Sequence, residues 1–209
     1  MPRIIFFILT LVLSIGISAQ ERAMNTQEIT VLKAKVKTLA EKTSIIQSDF
    51  VQYKHMDFLA NDIETKGKMA YKSPKLVKWQ YTAPFEYTVI FKQDQILIND
   101  GGNKTKVDIG SHKLFKEMSQ LVISSVKGDM FNEEKFNMDY RQSTKDYVIT
   151  FVPKDSMIKE YIGSFVLHFD KESAIVQSVK MIEPTSDYTL IVFKNRVINS
   201  PISDAEFNN

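Results

Sequence analysis

From Asp62 to Ile98 apolar and polar residues alternate, and this pattern limits the possible folds more than any other feature. In DIETKGKMAYK, residues 62–72, Ile63, Thr65, Gly67, Met69 and Tyr71 point one way. Glu64, Lys66, Lys68 and Lys72 point the other, and Ala70 breaks the rule. Such a segment is a strand with one buried face and one face in water. Ser73-Pro74 turns the chain. VKWQYTAP, residues 77–84, then sets Val77, Trp79 and Tyr81 on the next inward row, and Ala83-Pro84 ends it. Tyr87, Val89 and Phe91 continue the theme, followed by Ile96 and Ile98. Asp100-Gly101-Gly102-Asn103 is a strong turn signal. The spacing predicts a meander of antiparallel strands.

The same period returns later. Phe136, Met138 and Tyr140 alternate, then Tyr147, Ile149 and Phe151, then Phe165, Leu167 and Phe169. Asp170-Lys171-Glu172-Ser173 predicts a hairpin turn, with Val179 and Met181 on the return strand. Tyr188, Leu190 and Val192 form a further row, and Phe207 sits near the end.

Two segments are helical in period instead. Ile29, Leu32, Val36, Leu39 and Ala40 share one side, with Val31 off it. Asn25 followed by Glu28 marks the start of that helix. In LFKEMSQLVISSVKG, residues 114–128, Leu114, Phe115, Met118, Leu121, Val122 and Ser125 share a face. Ile123 is out of phase there, and Gly128 supplies a stop.

No composition shift or long linker divides residues 20–209. They read as a single mainly β (α+β) domain of roughly ten strands. A sheet that is apolar on one face must curl or be covered, and two helices are too few to cover it flat. The economical arrangement is a strongly curved antiparallel sheet, an incomplete barrel closed on its concave side by helices acting as a lid. That geometry leaves room for a hollow.

The first residues read as an export signal, with Arg3 ahead of an apolar run from Ile4 to Ile17 and Ser18-Ala19 before Gln20. The run falls short of the roughly 20 residues a membrane span needs. The expected signal peptide is residues 1–19, and the mature chain is expected to be soluble in the periplasm. There is no cysteine, so neither a disulfide nor a lipidated cysteine can contribute. The formal net charge is +2, and the lysines are scattered, so nucleic acid is not expected as a partner.

No catalytic constellation stands out. His55, His112 and His168 share no metal spacing, no H-E-x-x-H or G-x-S-x-G occurs, and no carboxylate pair suggests itself. The chain is read as a non-enzyme with no cofactor and no metal. The inward aromatics and methionines admit two readings, an ordinary packed core and the wall of a cavity. Pattern alone does not separate them. Nor does it separate a lid from a packing helix at residues 114–127.

Phe50-x-Gln52, then GKMAYKSPKLVKWQYTAP from Gly67 to Pro84, then FVLHFDKESAIVQSVKMIEP at residues 165–184 occur in an informative order. With the terminal element ending at Phe207, they resemble the periplasmic outer-membrane lipoprotein carrier family, LolA. The resemblance implies a hydrophobic cavity for lipoprotein acyl chains. It also implies cargo received from an inner-membrane ABC exporter and passed to an outer-membrane acceptor. Val77 and Trp79 match cavity-wall positions of the family, and Met69 a neighbouring one. The expected cavity and lid residues are therefore Phe50, Ile63, Met69, Tyr71, Val77, Trp79, Tyr81, Val89, Phe91, Leu114, Met118, Leu121 and Val122. One departure stands out. Where the family commonly has an arginine before the first proline of the motif, this chain has Ser73, preceded by Lys72. Serine cannot make the long bidentate contact of an arginine, so the lid lock is weaker, moved or absent. The alternative reading is a carrier or sensor of another amphiphile, such as a free lipid, a glycolipid or a lipid-like pigment. A monomer is the expected state.

Overall fold

The structure, a computed structural model, describes residues 21–92, 95–108 and 129–208. The first half runs β1 (Arg22–Ala23), α1 (Thr26–Glu41), β2 (Ile45–His55), β3 (Ile63–Lys72), β4 (Leu76–Ala83), β5 (Tyr87–Lys92), β6 (Gln95–Asp100) and β7 (Asn103–Asp108). The second runs β8 (Phe136–Gln142), β9 (Asp146–Pro153), α2 (Ser156–Lys159), β10 (Ser164–Asp170), β11 (Val176–Ile182), β12 (Tyr188–Ile198) and a 3-10 helix (Asp204–Phe207). The signal segment and the helix expected at residues 114–127 lie outside the described residues.

Among the described residues twelve strands form one antiparallel sheet, in the order β1-β8-β9-β10-β11-β12-β2-β3-β4-β5-β6-β7. Two meanders, β8–β12 and β2–β7, are joined where β12 pairs with β2. β1 and β7 are edges that do not meet, so the barrel is incomplete. Two strands exceed the expected count. β1 is only two residues long, and β7 (NKTKVD) carries no apolar alternation that could announce it. The hairpin turn between β6 and β7 uses Gly101 and Gly102 at positive φ (53° and 101°), as the sequence predicts.

Register sets the inward rows. Tyr71 pairs with Val77, Val77 with Phe91, and Phe91 with Ile96. Met69 pairs with Trp79, Trp79 with Val89, and Val89 with Ile98. One row runs differently from the sequence reading. On β12, Ile191 and Phe193 face the concave side with Phe50, which leaves Tyr188, Leu190 and Val192 on the convex face. Both phases of YTLIVF are apolar, so alternation does not choose between them.

α1 starts with a reciprocal capping box. The Asn25 side chain accepts from the Glu28 amide at 2.9 Å, and Glu28 accepts from the Asn25 amide at 2.9 Å. Arg22 on β1 clamps the same carboxylate at 2.5 Å and 3.0 Å. The helix buries Leu32 and Val36 against Phe136, Ile149, Phe151, Leu167 and Phe169, so it covers the β8–β10 part of the concave face. The expected covering by two helices is thus met by α1 on that half. No helix among the described residues is long and apolar enough to cross a membrane.

The β2–β4 part of the face is built on an aromatic stack. Phe50 lies on Trp79 with centroids 4.2 Å apart and meets Tyr81 edge-on at 5.4 Å. Gly67 makes this possible. A Cβ there would fall 2.4 Å from the Phe50 ring and 2.1 Å from the Gln80 carbonyl oxygen.

The convex face is not wet throughout. Phe207 is fully buried against Ala70 and Ile90, which explains the apolar exception in β3. Lys72 holds Asp204 at 2.5 Å, Lys78 holds Glu206 at 3.1 Å, and Lys92 donates to Asn208 at 2.8 Å, so the C-terminal segment is pinned along its length.

Two measurements test these constraints. Gly67→Ala should lower stability by about 3 kcal/mol, the upper end for overpacking, because a backbone oxygen cannot swing aside. An unchanged urea midpoint would show that the stack does not need a bare backbone. Glu28 is held at a pKa of about 2, below its ordinary 4.5, chiefly by the Arg22 hydrogen bond and then by the Asn25 amide. A depressed carboxylate stabilises the fold above its unfolded pKa, and that contribution is lost as pH falls through the folded value. Protection of the first-turn amides of α1 should therefore weaken between pH 4.5 and 2. Glu28→Gln should remove that pH dependence in hydrogen exchange.

Candidate ligand cavity

Between the C-terminal half of α1 and the middle of the sheet lies a cavity of about 120 Å³. Val36 and Leu39 of α1 form its roof, Leu167 of β10 and Val179 of β11 one wall, and Met69 of β3 and Phe193 of β12 the other. Its volume decides what it can take. Pockets for drug-sized ligands run to roughly 300–1,000 Å³, and an apolar hole of about 150 Å³ holds a benzene. In this conformation it has room for no more than a short run of a hydrocarbon chain.

Beside it stands the aromatic wall. Trp79 reaches toward the cavity and meets Phe193 edge-on at 6.2 Å. The expected site residues divide by depth. Phe50, Met69, Tyr71 and Val77 are buried and form the base of the cluster. Trp79, Tyr81, Val89 and Phe91 are half-buried on the same face. Met69 alone among them also lines the cavity. Ile63 stands apart, 44% exposed, at the far end of β3 where it pairs with Lys54 beyond the stack. Leu114, Met118, Leu121 and Val122 lie outside the described residues.

The Phe-x-Gln motif acquires a physical reading. Phe50 supplies the ring under Trp79, and Gln52, two residues on and on the same face, accepts from the Tyr81 hydroxyl at 3.0 Å. Burial pushes the Tyr81 phenol up, which keeps it a neutral donor at any physiological pH.

The residue that sequence reasoning missed is Arg196. Between Lys194 and Val197 two residues of β12 oppose the single Ser48 of β2, a β-bulge. Asn195 takes φ 49° and donates to Asp49 at 2.8 Å, and the Ser48 hydroxyl donates to the Lys194 carbonyl at 2.8 Å. The bulge re-aims Arg196 into the cavity, between Phe193 and Ile198. Its guanidinium lies 5.1 Å from the Phe193 ring centroid. Burial lowers its pKa to about 10, so it stays charged at neutral pH, and its Nε has no hydrogen-bond partner. The sequence does not announce it, because Val197 keeps the phase of Ile191 and Phe193, and only the structure shows that Ile198 is the residue that faces inward. Ser73, at the position where an arginine is usual, is exposed, and Lys72 is committed to the C-terminal segment on the other face.

The two described histidines do not come together. His55 pairs with Asp62 at 2.7 Å and stacks on Tyr188 on the convex face, His168 lies on β10, and His112 is outside the described residues. Among the described residues no His, Asp or Glu cluster is gathered as a metal site would require.

Known proteins share this architecture. An uncharacterised conserved protein from Thermus thermophilus is similar with a TM-score of 0.55 at 4% identity, over 86% of this chain and 91% of that one. A chain of the Pseudomonas aeruginosa MucA/MucB complex gives 0.51 at 12% identity, over 86% of this chain and 60% of that one, less than two thirds of its length. A LolA superfamily protein from Nitrosomonas europaea gives 0.47 at 7% identity, over 86% and 97%. At such identities the likeness is one of fold. No curated protein matches the chain. The family model described as outer membrane lipoprotein carrier protein LolA matches residues 41–209, from the end of α1 through the aromatic stack, the bulge and the C-terminal segment. This chain belongs to the LolA family.

Proposed function

We propose that this chain is a periplasmic carrier that shelters the acyl chains of lipoproteins between the inner and outer membranes. The observation that carries this reading is a half-buried aromatic wall beside an apolar cavity on one face of an incomplete barrel. Exposing an acyl chain to water costs about 0.8 kcal/mol per CH₂, so a carrier needs only an apolar face that opens and closes. Met69 suits that role, because a thioether side chain adapts to irregular shapes. Residues 1–19 act as the signal peptide, and the mature chain works as a monomer. It receives cargo from an inner-membrane ABC exporter and yields it to an outer-membrane acceptor. Cargo moves down an affinity gradient, and no catalysis is required. Membership of the LolA family supports this assignment.

Native mass spectrometry of the protein isolated from the periplasm tests it. An acylated molecule should be found bound, and Trp79→Ala should reduce uptake of a fluorescent acyl probe on the order of tenfold, as loss of one large apolar contact implies. A protein that neither carries nor takes up any acylated molecule, or a Trp79→Ala variant with undiminished uptake, would contradict the reading.

A further inference from the structure

Arg196 is a half-buried cation whose Nε has no hydrogen-bond partner among the described residues, and its guanidinium lies against the Phe193 ring. Among the described residues lining the cavity it is the single charged side chain. Burial lowers its pKa, and among the described residues no carboxylate is paired with it. The C-terminal turn of α1 offers no relief. The Leu39 carbonyl already accepts from the Lys42 amide and the Thr43 hydroxyl, and the Ala40 carbonyl from the Thr43 amide. Holding a cation half-buried beside apolar side chains without an acidic partner costs free energy. Yet a dedicated device points it inward, namely the bulge held by Ser48, Asp49 and Asn195. Asn199 fixes the adjoining joint, accepting from the Ser44 amide and donating to the Lys42 carbonyl, each at 2.8 Å.

We infer that the cavity takes the head end of an anionic amphiphile, its carboxylate or phosphate on the Arg196 guanidinium and the first carbons of one chain among Val36, Leu167, Val179 and Phe193. A planar guanidinium matches either oxyanion with paired N–H donors. The volume of about 120 Å³ agrees with the start of a single chain. The rest of the chain then passes along the wall at Trp79. This assignment rests on the carrier reading for the tail alone; the acylated end of a lipoprotein bears no carboxylate or phosphate, so the charged head makes the guest an anionic lipid.

Binding of four probes to the delipidated protein tests it. The probes are palmitate, lysophosphatidate with one palmitoyl chain, monopalmitoylglycerol and palmityl alcohol. At least one of the anionic pair should bind on the order of tenfold or more tighter than the neutral pair, as hydrogen bonds to a charged group imply. Whichever of palmitate and lysophosphatidate binds tighter identifies the head as carboxylate or phosphate. Arg196→Met should abolish the preference while neutral probes still bind, and Arg196→Lys should retain part of it. The delipidated Arg196→Met protein should melt at a higher temperature than wild type, because a half-buried charge with no acidic partner among the described residues is gone. A residue that merely braces α1 would give the opposite shift. Equal binding of anionic and neutral probes to wild type overturns the inference and leaves the carrier reading standing. Failure of every probe to bind overturns both.

Discussion

Among the described residues, a sheet of twelve strands with one apolar face has more surface to hide than one sixteen-residue helix can cover. That imbalance governs the rest of the molecule. α1 lays its apolar stripe on the β8–β10 half, where Leu32 and Val36 sink into a close-packed cluster of phenylalanines. Toward β12 and β2–β5 the helix is no longer overhead. There the sheet covers part of itself, with Phe50 laid flat over a glycine and Trp79 on Phe50. The cavity forms at the seam between these two solutions, where neither the helix nor the aromatic stack fills the space. A guest chain in that seam would complete burial that the described residues leave unfinished.

The two faces are stabilised by different means, and this separates rigidity from function. On the convex side, Phe207 and the three lysines that hold the last residues close a seam along β3–β5. The strands that carry the aromatic wall are thereby backed by a fixed layer. On the concave side the contacts lining the cavity are apolar and non-directional, while α1 is tied at its rim by Lys33 to Glu133, Lys35 to the Lys171 carbonyl and Asn199 to the Lys42 carbonyl. The exception is the bulge of β12. Its Asn195 in the left-handed region and its Arg196, without an acidic partner among the described residues, are local costs, and costs of this kind collect where a protein does its work.

Much of this was legible in the sequence, and the failures have physical causes. The period-two rows of β3, β4 and β5 gave both the strands and their inward faces, because lysines and glutamates mark the other side. The capping box of α1 was visible as Asn25 and Glu28. β7 was not, since six mostly polar residues at a sheet edge carry no alternation. The facing of β12 was ambiguous because Leu190, Ile191, Val192 and Phe193 are apolar in both phases. At the site, the aromatic base could be named from its residues. Its division into buried Phe50 and half-open Trp79 depends on what α1 reaches, which is a tertiary fact. Arg196 was hidden for a related reason. A bulge changes the facing of every later residue, and here Val197 keeps the earlier apolar phase, so the slip leaves no sign in the sequence.

The central claim is that the concave seam under α1, and no other surface, receives an acyl chain. Paramagnetic broadening by stearate spin-labelled near its carboxyl tests it most directly, read from the methyl signals of the delipidated protein. Selective broadening of Met69, Val36, Leu167 and Val179, with Ile90 on the convex face unaffected, is the result this account predicts. Broadening that spares those four methyls, or that falls equally on Ile90, would contradict it.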